Sequence, residues 1–139
     1  MGEFKSAFND GIKAAREARD SEAEVKSVFD AMNNDLSELN VRIGIEWATE
    51  QKTLEDIPAN IFAPAKRFRA IVANSLASTD NKPAKVLARW TQDAKGYPCR
   101  IILPGKEIFC ENKEGLENGL SDLLKEVTVG KLLLSLINE

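Results

Sequence analysis

The dipeptide Pro104-Gly105 constrains this chain more than any other feature. Proline presets φ at the first central position of a turn, and glycine accepts a positive φ at the second. A two-residue loop there pairs Leu103 with Lys106, Ile101 with Ile108 and Cys99 with Cys110. Upstream, Asp93-Ala94-Lys95-Gly96 reads as a second turn, and a four-residue loop pairs Gln92 with Tyr97 and Trp90 with Cys99. Residues 86–110 are then a three-stranded antiparallel meander. Side chains alternate along a strand, so Val86, Ala88, Trp90, Cys99, Ile101, Ile108 and Cys110 share an apolar face. Leu87, Arg89, Thr91, Arg100, Ile102, Glu107 and Phe109 share a mixed one. Two independent turns lead to the same core face, an agreement that a one-residue slip would destroy. A Pro-Gly turn matches strand twist poorly, so a bulge at Gly105 is the departure to expect.

Ahead of the meander, residues 3–39 read as helix. Phe4, Phe8, Ile12, Ala15 and Ala18, then Val25, Phe29, Met32, Leu36 and Leu39, recur in steps of three and four. Ser21-Glu22-Ala23-Glu24 has the capping-box pattern, which argues for a break near Asp20 and two helices, 3–19 and 22–38. The unbroken period argues for one. A single helix of that length would span about 54 Å, more than a domain of 139 residues can cover. Part of its apolar stripe would then need a partner chain.

From Asn40 the period changes to two. Val41, Ile43, Ile45 and Trp47 alternate with polar residues and Gly44, a half-buried strand with a bulge or a close approach expected at the glycine. Leu54, Ile57, Ile61 and Phe62 lie among prolines, so residues 49–65 are expected to form a structured loop or a short helix. Residues 66–73 read as a second strand, and 75–83 as a turn-rich loop. A helix runs from Asn112 or Lys113 through Glu126, with Leu116, Leu120, Leu123, Leu124 and Val127 on one face. Gly115 and Gly119 on it are expected to pack closely on the sheet. Thr128 is expected to cap a last helix carrying Val129, Leu132, Leu133, Leu136 and Ile137. The fold class is therefore α+β: one domain over 1–139, with an antiparallel sheet of about five strands. Its meander covers 84–111 and lies in a sheet region of 40–111. The helical segment 3–39 and two helices within 113–138 pack on its apolar face.

Charge is laid out unevenly. The net charge of −3 divides into −6 over residues 1–56, +6 over 57–110 and −3 over 111–139. Such segregation bears on partners and association rather than on fold. No signal peptide pattern or membrane-length apolar run is evident, which points to a cytoplasmic protein with no membrane partner. Two cysteines in such a compartment are expected as core thiols rather than a bridge.

The chemistry within reach is narrow. The chain has no histidine, which removes the commonest general base and any Ser-His or Cys-His pair. Phosphate-loop, dinucleotide and nucleophile-elbow signatures are absent. The spacing of Cys99 and Cys110 is not a zinc pattern. No enzyme, cofactor or metal is therefore expected. Lys66, Arg67 and Arg69 flank Phe68 on one strand, while Arg89 and Arg100 share the mixed face with Phe109. Basic side chains around exposed aromatics can hold a single-stranded nucleic acid. With a pI near 5.2, the reading preferred over that one is a small acidic protein of the inhibitor, immunity, chaperone or adaptor type. It acts by binding another protein, and the N-terminal helices offer a route to a homodimer.

Overall fold

The computed structural model describes residues 2–49, 66–77 and 82–137. Helix α1 (Glu3–Asp35) leads through one 3-10 turn, Ser37–Leu39, into a five-stranded sheet. The strands are β1 (Val41–Thr49), β2 (Arg67–Ser75), β3 (Lys85–Gln92), β4 (Cys99–Leu103) and β5 (Lys106–Cys110). They lie in chain order, each antiparallel to the next. Helices α2 (Lys113–Lys125) and α3 (Val127–Ile137) complete an α+β fold. All three helices lie on one face of the sheet: α2 packs against β4 and β5, α3 against β2 and β3, and α1 against β1 and α2.

The hairpin at Pro104-Gly105 has the expected register: Leu103 opposite Lys106, Ile101 opposite Ile108, Cys99 opposite Cys110. No bulge interrupts it, and Gly105 supplies the positive φ of 74°. The other turn differs. Asp93 to Gly96 does form a turn, closed by Gly96 N–H donating to the Asp93 carbonyl at 2.8 Å. The loop, however, continues to Pro98, whose carbonyl accepts from Asp93 N–H. Gln92 therefore pairs with Cys99 and Trp90 with Ile101, a two-residue shift from the expected register. Pro98 has no N–H to give to a ladder, so the strand starts after it. A shift of two keeps every side chain on its face. Trp90, Cys99, Ile101 and Cys110 are accordingly all in the core.

One face assignment is overturned. Between Ile71 and Val72 the β2–β3 register shifts, so that Val72 faces Val86 while Ile71 faces Ala88. Leu87 is the extra residue of a bulge. It turns into the core, and Val86 turns out to 43% exposure. At Gly44, by contrast, the ladder is regular and a Cβ would meet nothing within 4 Å among the described residues. Thr128 is not a cap either, since α3 begins one residue earlier at Val127. On α2 the expected face is buried through Leu116, Leu120 and Leu123, with the Asn112 side chain accepting from Gly115 N–H at the N-terminus. Gly119 is where that helix meets the sheet: a Cβ there would lie 2.9 Å from Cys110 Sγ and 2.9 Å from Ile108 Cγ2. Beyond Thr49, the stretch expected as a loop or short helix lies outside the described residues, as does part of the 75–83 turn segment.

The core centres on Trp90, which meets the Phe29 ring edge to face at 5.6 Å between centroids. Phe29, Val25 and Val28 are the buried residues of α1. They belong to its second half. The helix is single, not broken near Asp20, and spans about 50 Å at 1.5 Å per residue. The Ser21–Glu24 pattern serves a different end. Ser21 lies against Gly96, whose Cβ, if it had one, would be 2.4 Å from the serine Cβ. Glu24 accepts a hydrogen bond from the Tyr97 hydroxyl at 2.9 Å. The 93–98 loop thus holds α1 at residues 21–24. Twelve residues on, Asn33 gives its amide N–H to the Ile43 carbonyl and accepts the Ile43 N–H, both at 2.8 Å. It acts as a short stand-in for a neighbouring strand on the outer side of β1.

Candidate functional site: two aromatic surfaces

The six basic and aromatic residues singled out in the sequence do not form one surface. Arg89, Arg100 and Phe109 lie together on the sheet face away from the helices, as the alternation requires. Arg67 and Arg69 lie on the helix side, in line with Trp47 and Ile45. Lys66 precedes β2 and is exposed. Phe68, between the two arginines in sequence, points to the far face and joins Arg89 there. A basic run on a strand divides between faces because alternate residues must.

Each arginine cluster is built around a ring. Arg89 lies 4.1 Å from the Phe68 centroid, Arg100 5.3 Å from Phe109, and Arg67 5.1 Å from Trp47. Such stacking is favourable by ~0.5–1 kcal/mol at exposed sites. Arg100 is additionally paired with Glu107 at 3.1 Å. The three guanidinium groups therefore cover ring faces that would otherwise be open to a base. Around Phe68, Val86 and Ile102 the far face carries a shallow apolar hollow of about 360 Å³. On the other side, Arg69, Arg42, Glu22 and Asp30 line an open groove between α1 and β1, which holds both signs of charge. Trp47, the last of the alternating apolar series of β1, is 61% exposed. It lies on the helix side, beyond the residues of β1 that line that groove.

The thiols are not placed for chemistry. Cys99 and Cys110 are unbridged, directly opposite each other and fully enclosed. The Cys99 thiol donates to the Gly96 carbonyl at 3.2 Å. Burial, with Cys110 alongside, pushes it up to about 12, and burial pushes Cys110 up as well. Reactive cysteines need the reverse, access and a depressed pKa. Among the described residues no group of three or more Cys, Asp or Glu could hold a metal ion. Nor is any described helix long and apolar enough to cross a membrane.

The second aromatic surface lies on α1. From Gly2 to Glu17 every residue is exposed. Phe4 is 93% exposed, Phe8 68% and Ile12 38%. They follow one another at intervals of four, so they stand in a row on one side of the helix. The helical period is legible in the sequence, and its parting from the domain follows there only if the helix is single. The signal for that was length: a stripe of about 54 Å in a chain of this size.

Comparison of the chain with family models, with curated proteins and with solved structures finds no match. The functional reading therefore rests on these surfaces.

Proposed function

We propose that this chain is a non-enzymatic binding protein that engages another protein through the projecting first half of α1. The observation that carries the reading is the row of Phe4 and Phe8, almost bare of contacts on a helix extending past its own domain. Aromatic side chains are the usual anchors of protein interfaces. An isolated helix of about 18 residues is marginal in water, so a partner that covers this stripe also stabilises the helix that presents it. The sheet and helices α2 and α3 then act as a rigid base, and the 93–98 loop fixes the angle at which the helix leaves it.

A photo-crosslinking side chain in place of Ile12, in the native cell, is expected to attach to protein. The same side chain in place of Thr91 on the far sheet face is expected to attach to much less. Equal labelling from both positions, or none from position 12, would remove the reading.

The nucleic-acid alternative draws on the arginine–aromatic pairs. It now divides into two surfaces that can be tested apart. If the helix-side set binds single strands at low salt, Arg67→Ala with Arg69→Ala weakens binding and flattens its salt dependence, while Arg89→Ala with Arg100→Ala leaves it unchanged. No binding of any oligonucleotide by the wild type at low salt would end this alternative.

A further inference from the structure

We infer that the partner of the projecting helix is a second copy of this chain, bound antiparallel along residues 3–18. The inference rests on the proposed function and deepens it. Position by position, α1 carries two series seven residues apart. One runs Phe4, Gly11, Ala18; the other Phe8, Ala15. The first continues into Val25, which packs on the domain, and the second reaches Phe29 after one interruption, the exposed Glu22. A seven-residue spacing of this kind is the seam of a helix pair. In the second half the chain's own sheet and α2 occupy that seam, while in the first half none of the described residues does.

The seam is its own complement only when reversed. It has two bulky residues at one end and small ones at the other. Antiparallel pairing sets Phe8 opposite Gly11 of the second copy and Phe4 opposite Ala15, with the same contacts repeated by symmetry. Every layer then joins a large side chain to a small one. Gly11 needs such an explanation. Glycine weakens a helix interior, and a Cβ at Gly11 would meet nothing within 4 Å among the described residues. A ring from the second copy gives it a purpose. The antiparallel arrangement also carries the two domains to opposite ends, where they cannot collide.

Electrostatics permits the pairing. Residues 3–20 hold four acidic and four basic side chains, so no net charge opposes a second copy or calls for an oppositely charged partner. A parallel, in-register pair would bring Arg19 within a turn of Glu17 of the other chain. Exposed ion pairs of that kind contribute little beside the burial of two rings per chain. The strip is about 24 Å long and one helix face wide. That falls short of the ~800 Å² per partner of a standard interface, so dissociation is expected at about tens of micromolar.

Sedimentation of the full chain from about 1 to about 500 µM is expected to show monomer passing to dimer. Gly11→Leu is the deciding variant. It adds apolar surface and helix propensity, so it should fold at least as well as the wild type. It also fills the space that Phe8 of the second copy requires, so the dissociation constant is expected to rise tenfold or more. Tighter association of Gly11→Leu would mean unspecific stickiness and would overturn the inference. A spin label at Asp20→Cys reports direction. The native cysteines are enclosed, and the two labels are expected about 31 Å apart along the axis in the antiparallel pair. Labels at about the 8–10 Å of two adjacent helices would refute the antiparallel arrangement. A wild type that stays monomeric throughout, while position 12 still crosslinks to a different protein, would refute self-association and leave the proposed function standing.

Discussion

Between pH 8 and pH 11 this protein is expected to lose about 3 kcal/mol of stability through Cys99 alone. In the folded chain its thiol keeps its proton up to about 12, against an ordinary 9.0. Burial is the main cause, because a thiolate enclosed beside Trp90 and Ile101 has no water to solvate it. The unfolded chain releases the same proton near the ordinary value. Above pH 9, therefore, the unfolded state binds fewer protons, and alkali draws the equilibrium toward it. The contribution is complete below pH 9 and is lost progressively as the pH rises toward 12. Cys110 acts in the same direction, again through burial. So does Tyr97, whose hydroxyl is partly enclosed and donates to Glu24. The measurement is urea unfolding of the wild type and of Cys99→Ala at pH 7.5 and pH 11. The variant should be the less stable at pH 7.5, by the cavity it leaves. That deficit should shrink by about 3 kcal/mol at pH 11. A deficit of the same size at both pH values would show that Cys99 ionises as easily folded as unfolded, and would contradict its enclosure.

The enclosed cysteines were legible in advance because strand alternation tolerates an error of two residues. The Pro104-Gly105 hairpin was read in its true register. The loop at Asp93 was read two residues too short, yet Trp90, Cys99 and Ile101 still reached the core. Val86 and Leu87 fared differently, because the bulge opposite Ile71 and Val72 depends on a pairing between distant strands that no local pattern announces. Helix α1 shows the same limit. Ser21 and Glu24 have the residue types of a helix start, and local chemistry alone favours a break. What decides the matter is that both are used by the 93–98 loop, more than seventy positions away. The candidate surfaces were half legible. Arg89, Arg100 and Phe109 do share a face. Arg67 and Arg69 were grouped with them by composition, and the face they take is set by the β2–β3 pairing, which the meander's own alternation does not fix. The apolar row at Phe4 and Phe8 was visible as a period. Only the position of the domain along the helix shows that none of the described residues covers it.

That position depends in part on one residue, and replacing it should have a large local effect. Gly96 has φ of 98°, a conformation that side chains with a Cβ rarely adopt. A Cβ there would also fall 2.4 Å from Ser21 Cβ and 3.2 Å from Glu22 N. Gly96→Ala therefore carries two costs: about 1–2 kcal/mol of backbone strain and about 1–3 kcal/mol of overpacking against α1. The sum, about 2–5 kcal/mol, is a large share of the ~5–15 kcal/mol by which folded domains are stable. The two costs can be separated. Ser21→Gly in the Gly96→Ala background removes the atom that is struck and should restore the overpacking part, less up to ~1 kcal/mol for glycine in a helix. Ser21→Ala keeps the Cβ and should restore nothing. If neither second change mattered, the strain would lie wholly in the loop, and Gly96 would not be what seats the helix. If Ser21→Gly rescues, the angle of the projecting half of α1 is set by a contact with room for a hydrogen and nothing larger. Small substitutions at positions 21 and 96 should then alter partner binding without touching Phe4 or Phe8.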